Sequence, residues 1–486
     1  MYTITLLPEG RKISAQPGEN LLECLRVAGV PVDAPCGGHG KCGKCTVMVN
    51  GEKRLACQYT VNEDLTVQPE KTGRQQILTA HTVASGMSDG ADPFVLAYDI
   101  GTTTVVCYLL SGETGALLSR ASALNPQIPY GADVISRLQY VKDSDAAPLR
   151  DGIREVMGQL AEQCVREKGI ALSEVTLACV VGNCAMHHLF LDLETAPLTH
   201  IPYMPSEKAP IETLCDGILP LAPGTKLRVL PNIAGFVGAD TVACMVSTRL
   251  DQVEELTLLI DIGTNGEMVL ASPNRRIACS TAAGPAFEGA RISCGMRGTD
   301  GAVDHVFVTD AGISCHTIGD TTAVGLCGSG LLDLVAVLLD EEIIIPSGKM
   351  LDKSYTIPGT EVTLTQKDVR EVQLAKAAIR SGIELMTEAM GTEVSQIQKV
   401  YLAGAFGNYL DPKSACRIGM IPPVLQDRII PVGNAAGAGA VSCALSAEEF
   451  AYAARLAEET DFLELASLPN FQDCYMESLL FEEELL

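Results

Sequence analysis

The sequence predicts a multidomain α/β protein, with a small α+β domain followed by two related α/β subdomains. Three observations carry this expectation. Four cysteines crowd between positions 36 and 57, in a glycine-rich loop set among short alternating strands. One strand–turn–strand pattern occurs twice, as LAYDIGTTTVVCYLL at 96–110 and LLIDIGTNGEMVLA at 258–271. From position 94 onward apolar strands and helical segments alternate, as in layered α/β domains.

Residues 1–68 hold the strands TITLLP, RKISAQPG, KCTVMVNG and LTVQP. Between them GENLLECLRVAG at 18–29 has helical spacing and a glycine stop at Gly29, so the order is ββα–loop–ββ. Residues 69–94 lack sustained periodicity, end in Gly, Asp and Pro, and are expected to form a linker, docked in part. A first subsidiary domain is expected over 95–255, with helices in ADVISRLQYV and LRDGIREVMGQLAEQCVREKGI. A second is expected over 256–486, with the helix QLAKAAIRSGIELMTEAM and then the strand VYLAGAF. The aspartates of the repeated pattern lie 162 positions apart, too far for a short solenoid repeat but right for two related subdomains.

Composition narrows the function. A net charge of −25 over 486 residues repels nucleic acid and anionic membranes, but leaves open a partner with a basic docking face. The opening MYTITLLPEG has neither the basic nor the apolar region of a signal peptide. No uninterrupted apolar run reaches about 18 residues, so no membrane span is expected. Most of the 18 cysteines sit singly in apolar runs, which fits a soluble protein of the reducing cytoplasm with one cofactor-binding cluster.

Cys36, Cys42, Cys45 and Cys57 form C-x5-C-x2-C-x11-C. Soft thiolates select iron–sulfur clusters, zinc or Cu(I). Gly37, Gly38, Gly40 and Gly43 let the backbone wrap closely enough for its N–H groups to point at cluster sulfides. Zinc, the competing occupant, usually needs two CxxC-like knuckles, and only one tight pair is present; a disulfide set is the third option. The accidental G-x-G-x-x-G at 38–43 lies inside the cysteine loop rather than between strand and helix, so it is no dinucleotide site. Cys24, on the inward side of the helix, is expected in the core. The spacing resembles the plant-type [2Fe–2S] ferredoxins, with one extra residue in the first gap and an early fourth cysteine.

Each DIGT segment ends a buried strand with a carboxylate and continues into a hydroxyl-rich glycine turn. Asp99 and Asp261 suit a hydrated Mg²⁺, while backbone N–H groups and threonine hydroxyls suit phosphoryl oxygens. No Walker-A sequence occurs, so a P-loop enzyme is not expected. In VYLAGAFGNYL at 400–410, Gly404 and Gly407 would allow close backbone approach to an adenosine. The alternative for the repeated pattern is a pair of plain tight hairpins. Together the three segments resemble the acetate and sugar kinase, Hsp70 and actin superfamily. That resemblance implies an actin-like (ribonuclease H-like) fold in which Asp99 and Asp261 are the catalytic, Mg²⁺-holding pair. It also implies that Gly101, Thr102, Thr103, Gly263, Thr264 and Asn265 meet the phosphates of ATP. Gly404, Ala405, Phe406, Gly407 and Asn408 would flank the adenosine. Tyr98 and Phe406 are equally explained as packing residues.

Other segments admit two readings. STAAGPAFEGARISCGMRG (280–298) and GLCGSGLLD (325–333) read as tight turns opening onto helices, which favours anions, and place Gly284 in the cofactor-binding set. Glu288 either positions water or is a buried hydrogen-bonded carboxylate. Cys184, His187 and His188 stand at ligand-like spacing, but packing or a cleft role competes with a metal. Asp240 in NIAGFVGAD is a candidate for the cleft.

The motif order extends the resemblance to nearly the whole chain. The four-cysteine segment is followed by DIGTTT, VGNCAMHH, NIAGFVGAD, DIGTNGE, TAAGPAFEGA, GLCGSGLLD, LAGAFGN and a C-terminal stretch at 463–481. This series is similar to the reductive activators of corrinoid proteins: an N-terminal ferredoxin (β-grasp) domain joined to an actin-like ATPase. The resemblance implies ATP-coupled one-electron transfer from a [2Fe–2S] cluster, returning Co(II) to Co(I) in a corrinoid protein of a methyltransferase system. It also implies an unidentified low-potential electron donor and a homodimer. Clusters of this type have potentials near about −400 mV, and each ~59 mV uphill costs roughly 1.4 kcal/mol for one electron. The chain has no C-terminal array of closely spaced cysteines, so the [4Fe–4S] branch of the family is excluded. Little lies between the linker and the ATPase core, so contacts made by larger relatives are expected to be missing. Three alternatives remain: an activator of a radical-type dehydratase, a redox-sensing small-molecule kinase, and a nucleotide-gated binding module with a structural cluster.

Overall fold

The computed structural model describes residues 1–8, 10–28, 30, 32, 34, 38, 40, 45–69, 88–407 and 409–482, with Ala405 described in its backbone alone. Period-two alternation in the first segment gives β1 (Tyr2–Leu6) and β2 (Arg11–Ala15), followed by helix α1 (Leu21–Val27). Asn20 caps α1 by accepting from Leu22 N at 3.0 Å, and the helix buries Leu21, Leu22 and Leu25. Then come β3 (Thr46–Val49), β4 (Glu52–Leu55) and β5 (Leu65–Pro69). The order β2-β1-β5-β3-β4, with β1 and β5 parallel, is the β-grasp of a ferredoxin domain.

The sequence reading missed β4. Its residues EKRL carry no apolar alternation, because an edge strand facing water needs none. The expected stop at Gly29 lies outside the described residues; the helix ends at Val27 with Ala28 as its C-cap.

The two DIGT repeats each open a six-stranded sheet. In the first, β6 (Phe94–Ile100), β7 (Thr104–Ser111) and β8 (Leu117–Leu124) form an antiparallel meander. Beside it run β9 (Val175–Gly182), parallel to β6, then β10 (Ile211–Leu214) and β11 (Lys226–Val229), in the order β10-β11-β9-β6-β7-β8. In the second, β12 (Thr257–Ile262), β13 (Gly266–Ser272) and β14 (Arg275–Thr281) repeat the meander. Lys399–Ala403 then runs parallel to β12, and Ile429–Gly433 parallel to Lys399–Ala403. Asp99 and Asp261 are each the next-to-last residue of the first strand of their sheet.

Connecting helices cover the sheets: α2 (Val134–Asp143), α3 (Ala147–Lys168), α4 (Cys184–Leu191), α5 (Ala239–Thr248), α6 (Gly328–Asp340) and α7 (Gln366–Ala389). Helix α7 starts two turns before the expected segment, because Thr365 and Asp368 form a capping box there. The expected strand VYLAGAF ends at Ala403, and Gly404–Gly407 turns helical where Gly404 takes φ +88°. Of the linker, residues 70–87 lie outside the described residues. Asp89 fastens to the body through its N–H on Leu445 O (3.0 Å) and its carboxylate under Ala447 N (2.7 Å).

One apolar core joins the two sheets. Helix α5 and helix Ala435–Leu445 lie between them, burying Ala243, Val246, Ala440 and Val441 with Ala97 and Val106 of one sheet and Leu259 and Val269 of the other. The two helices touch so closely that a Cβ on Gly439 would lie 2.0 Å from Ala243 O. Alanine gains about 1 kcal/mol of helix propensity over glycine, but overpacking against a rigid backbone costs roughly 1–3 kcal/mol and wins. Gly439→Ala is therefore expected to lower the midpoint of thermal unfolding in scanning calorimetry; an unchanged or higher midpoint would contradict this contact.

Candidate functional site

Two of the four candidate cluster ligands are described. Cys45 directly precedes β3, and Cys57 sits in the single turn Ala56–Gln58 that follows β4. The β3–β4 hairpin sets them side by side: Thr46 pairs with Leu55, and Ala56 N donates to Cys45 O at 2.8 Å. Asn20, the cap of α1, also donates from Nδ2 to Cys57 O at 2.9 Å, so helix and hairpin are tied at the thiol. Gly38 has φ +95° and a Cβ there would stand 3.2 Å from Leu22; at Gly40, with φ +71°, it would stand 2.6 Å from Gln58 Nε2. Only glycine passes through such a cradle without strain. This donor set and cradle fit an iron–sulfur cluster. Cys36 and Cys42, with Gly37 and Gly43, lie outside the described residues. Cys24 is half-buried beside Glu19 rather than fully in the core, and burial with that carboxylate pushes its thiol up to about 11.

The aspartates of the two sheets converge on one cleft. Asp99 accepts from Asn434 Nδ2 at 2.9 Å, and Asp261 lies 3.7 Å from Cys244 Sγ. Burial raises the Asp99 carboxyl to about 6, partly opposed by the Asn434 hydrogen bond and reinforced by Asp261. Burial likewise raises Asp261 to about 6. Asp240, in the first turn of α5, is raised to about 7 by burial and by Asp261 and Asp99. Glu267, paired with Asp261 across β12 and β13, is pushed well up by burial and by Asp240 and Asp261.

Four carboxyl groups thus face one another, and no lysine or arginine among the described residues bridges to any of them. Among the described residues no three His, Cys, Asp or Glu groups close into a ready-made metal cage either. That combination fits Mg²⁺, which keeps several waters and is held by one or two carboxylates together with phosphates.

The phosphate-loop candidates line the same cleft. Gly101 N donates to Thr104 O at 2.9 Å, and Gly263 N to Asn265 O at 2.9 Å, giving both loops the same tight turn. Asn183 Nδ2 donates to Thr102 Oγ1 at 3.0 Å. The hydroxyls of Thr103 and Thr264 both donate to Glu288, one to each carboxylate oxygen. A single carboxylate therefore clasps the loops of the two sheets across the cleft.

Gly404 lies against this centre: a Cβ there would stand 2.6 Å from Asp261 Oδ1. Phe406 stacks on Phe287, with ring centroids 5.3 Å apart and planes 2° from parallel. Gly407 is buried against Leu402, and Asn408 lies outside the described residues. Tyr98 is a packing residue, buried with its hydroxyl on Met157 O at 3.1 Å.

Gly284 opens elsewhere, onto a small cavity of about 190 Å³ that Arg291, Glu371, Leu374 and Tyr475 also line. A larger cavity of about 720 Å³ borders the β3–β4 hairpin, away from the aspartates. His188 donates from Nδ1 to Cys184 O (2.7 Å) and accepts Ser206 N at Nε2 (3.0 Å), so both ring nitrogens are engaged. His187 is buried beside it, and burial lowers it to about 3.

Sequence reasoning missed Glu267 and Asn434. Glu267 immediately follows the DIGTNG turn, and its pairing with Asp261 in the hairpin was the available signal. Asn434 had one too: it caps helix Ala435–Leu445 by accepting from Gly437 N at 2.7 Å, in a VGN segment like the one before α4.

Fold and cleft together define an actin-like ATPase joined to a [2Fe–2S] ferredoxin domain. Residues 4–66 match the 2Fe-2S iron-sulfur cluster binding domain, 94–253 the RACo middle region, and 255–485 the C-terminal ASKHA domain of RACo. The chain is 32% identical to the corrinoid activation enzyme RamQ of Eubacterium limosum, over 94% of this chain and 95% of that protein. It is 26% identical to the [Co(II) methylated amine-specific corrinoid protein] reductase of Methanosarcina barkeri, over 78% of this chain and 76% of that one. The solved structure of a reductive activator for corrinoid, iron–sulfur protein superposes with a TM-score of 0.73 at 28% identity, covering 99% of this chain and 98% of its own. The chain belongs to the family of RACo-type corrinoid activators. No helix among the described residues is long and apolar enough to cross a membrane.

The raised carboxyls make stability depend on pH. Asp99 and Asp261 ionise near 6 and Asp240 near 7 in the fold, against an ordinary value of 3.8. Between these values the folded chain holds protons that the unfolded chain has lost, so stability falls as pH rises through about 4 to 7. Mg²⁺ is expected to raise the thermal midpoint more at pH 8 than at pH 5. An equal rise at both would contradict an ionisable cation site in this cleft.

Proposed function

We propose that the protein is an ATP-dependent reductive activator that returns a corrinoid protein of a methyltransferase system from Co(II) to Co(I), one electron at a time. The observation that carries the reading is the pair of phosphate loops from two related sheets, facing across an acidic cleft in a chain that also bears a ferredoxin domain. RamQ and the Methanosarcina barkeri reductase, similar along most of this chain, support the choice of acceptor.

In this reading Asp99 and Asp261 would hold Mg²⁺, whose charge would offset the mutual repulsion of the cleft carboxylates. Gly101, Gly263 and the hydroxyls of Thr102, Thr103 and Thr264, with Asn265, take the phosphates, and Gly404–Gly407 with Asn408 border the nucleoside. Gly284 stands apart from this set, on the small cavity lined by Arg291 and Tyr475. The γ-phosphate and Glu288 compete for the same two hydroxyls and carry like charge, so binding releases the clasp. Glu288 is then free to orient the attacking water. Cys36, Cys42, Cys45 and Cys57 hold the cluster, which supplies the one-electron chemistry when bound. An external low-potential donor must return that electron after each turnover, since ATP hydrolysis supplies none.

The deciding experiment mixes reduced, cluster-loaded protein with a Co(II) corrinoid protein and follows the visible spectrum with and without MgATP. Co(I) is expected to appear only with ATP; no Co(I) from several corrinoid proteins, despite an intact cluster and ATP turnover, would refute the acceptor. Two substitutions should separate the halves. Cys57→Ala is expected to abolish the cluster absorption and Co(I) formation while leaving nucleotide affinity near wild type. Asp261→Ala is expected to leave a reducible cluster but lower ATP turnover by at least about tenfold. A normal turnover rate in that variant would remove Asp261 from the metal site.

A further inference from the structure

The ferredoxin domain meets the ATPase body at a buried arginine. Arg26 is in the last turn of α1, and its side chain is 3% exposed. Its Nη2 donates to Pro129 O, its Nη1 pairs with Glu23, and its guanidinium lies 5.5 Å from the ring centroid of Tyr130. Tyr130 is itself packed on Tyr140 of α2, with centroids 4.9 Å apart. On the domain side, a Cβ on Gly38 of the cysteine loop would stand 3.7 Å from Arg26 Nη2. A charged hydrogen bond and a cation–π contact at a part-buried seam are strong enough to define how one domain sits on another.

The far side of the same turn is held by a second arginine. Arg137, fully buried, donates from Nε to Gly131 O at 2.9 Å, from Nη1 to Gln127 Oε1 at 3.2 Å, and from Nη2 to Thr102 O. Asn125 extends the attachment, with its N–H on Thr103 O at 2.9 Å and its Nδ2 on Gly101 O at 2.8 Å. The segment between is stiff: Ile128 N bonds Asn125 O (3.2 Å), Tyr130 N bonds Gln127 O (2.9 Å) and Gly131 N bonds Ile128 O (3.1 Å). Segment 125–131 is thus bonded through Asn125 to the carbonyls of Gly101 and Thr103, linked through Arg137 to that of Thr102, and bonded to one arginine of the cluster-bearing domain.

Each of those carbonyls shares a planar peptide with the next N–H, so an amide that turns toward a phosphate must turn its carbonyl as well. We propose that the 125–131 segment transmits the nucleotide state of the first phosphate loop to the ferredoxin domain, with Arg26 as the positioning residue that receives it. The inference rests on the nucleotide reading of the cleft and is independent of the corrinoid acceptor. Its consequence for the reaction is that the cluster domain is held one way on the body with the clasp closed and another way, or more loosely, with nucleotide bound. Such a device biases an equilibrium that both sites share.

The test is hydrogen exchange of the full, cluster-loaded chain, read by mass spectrometry on peptides covering 20–28 and 125–131, with and without Mg²⁺ and a non-hydrolysable ATP analogue. Nucleotide affinity is measured by calorimetry on the same samples. In the wild type, nucleotide is expected to change exchange in α1 by at least about fivefold, the lower end of typical coupling between sites. In Arg26→Ala that response should vanish while nucleotide affinity and basal hydrolysis change by less than about twofold, and Arg26→Lys, which keeps a donor and a charge, should restore part of it. Nucleotide binding without any change in α1 overturns the proposal, as does an undiminished response in Arg26→Ala. Absence of nucleotide binding overturns the reading of the cleft and this inference with it. Cluster absorption reports whether Arg26→Ala is folded. If it is not, Tyr130→Leu removes the ring from the opposite side of the seam, and the same response must be lost.

Discussion

Asp99 and Asp261 lie one residue from the ends of the first strands of two sheets that share one core, and this placement forces like charges into a common cleft. Asp240 and Glu267 join them, so four carboxyls stand together with their ionisation pushed upward by burial and by one another. A fold does not keep such a group without a counter-charge in its working state. Packing of α5 and helix Ala435–Leu445 between the sheets sets the separation of the aspartates, so the acidic cleft is a consequence of the core rather than of local loop chemistry. A cation with phosphates, the occupant proposed for the cleft, would relieve it.

Glu288 converts this electrostatic arrangement into a mechanical one. By accepting from Thr103 and Thr264 it ties the loops of the two sheets together. The polyphosphate of the proposed function would seek the same hydroxyls and be repelled by the same carboxylate. Hydrogen bonds in a partly dry cleft are worth more than at an open surface, so exchanging one acceptor for another changes the relation between the sheets. The first loop is also hydrogen-bonded from behind by Asn125 and Arg137, and the segment carrying those contacts reaches the cluster-bearing domain. Polar contacts thereby run from the first DIGT loop to the ferredoxin domain.

Legibility in the sequence followed the range of the interaction. The DIGT repeats announced themselves because each strand and turn is local, and the structure gives each the same meander with a parallel strand beside its first strand. The cysteine spacing was legible for the same reason, but the hairpin that brings Cys45 against Ala56, next to Cys57, was not. Strand β4 was not, since its charged residues carry no burial signal. The segment VYLAGAF read as one strand because it is apolar throughout, yet Gly404 ends it: close approach to Asp261 permits no side chain there.

By itself, then, the sequence determined the architecture, the ligand types and the chemical class, because strand periodicity, turn glycines and cysteine spacing act over a few residues. Only the tertiary structure decided which polar groups meet. Asn434 reaches Asp99 across 335 positions, Glu288 reaches Thr103 across 185, and Arg26 reaches Pro129 across 103. Contacts of that separation depend on how two sheets and a small domain pack, and no periodicity within a segment records how it will be placed against another.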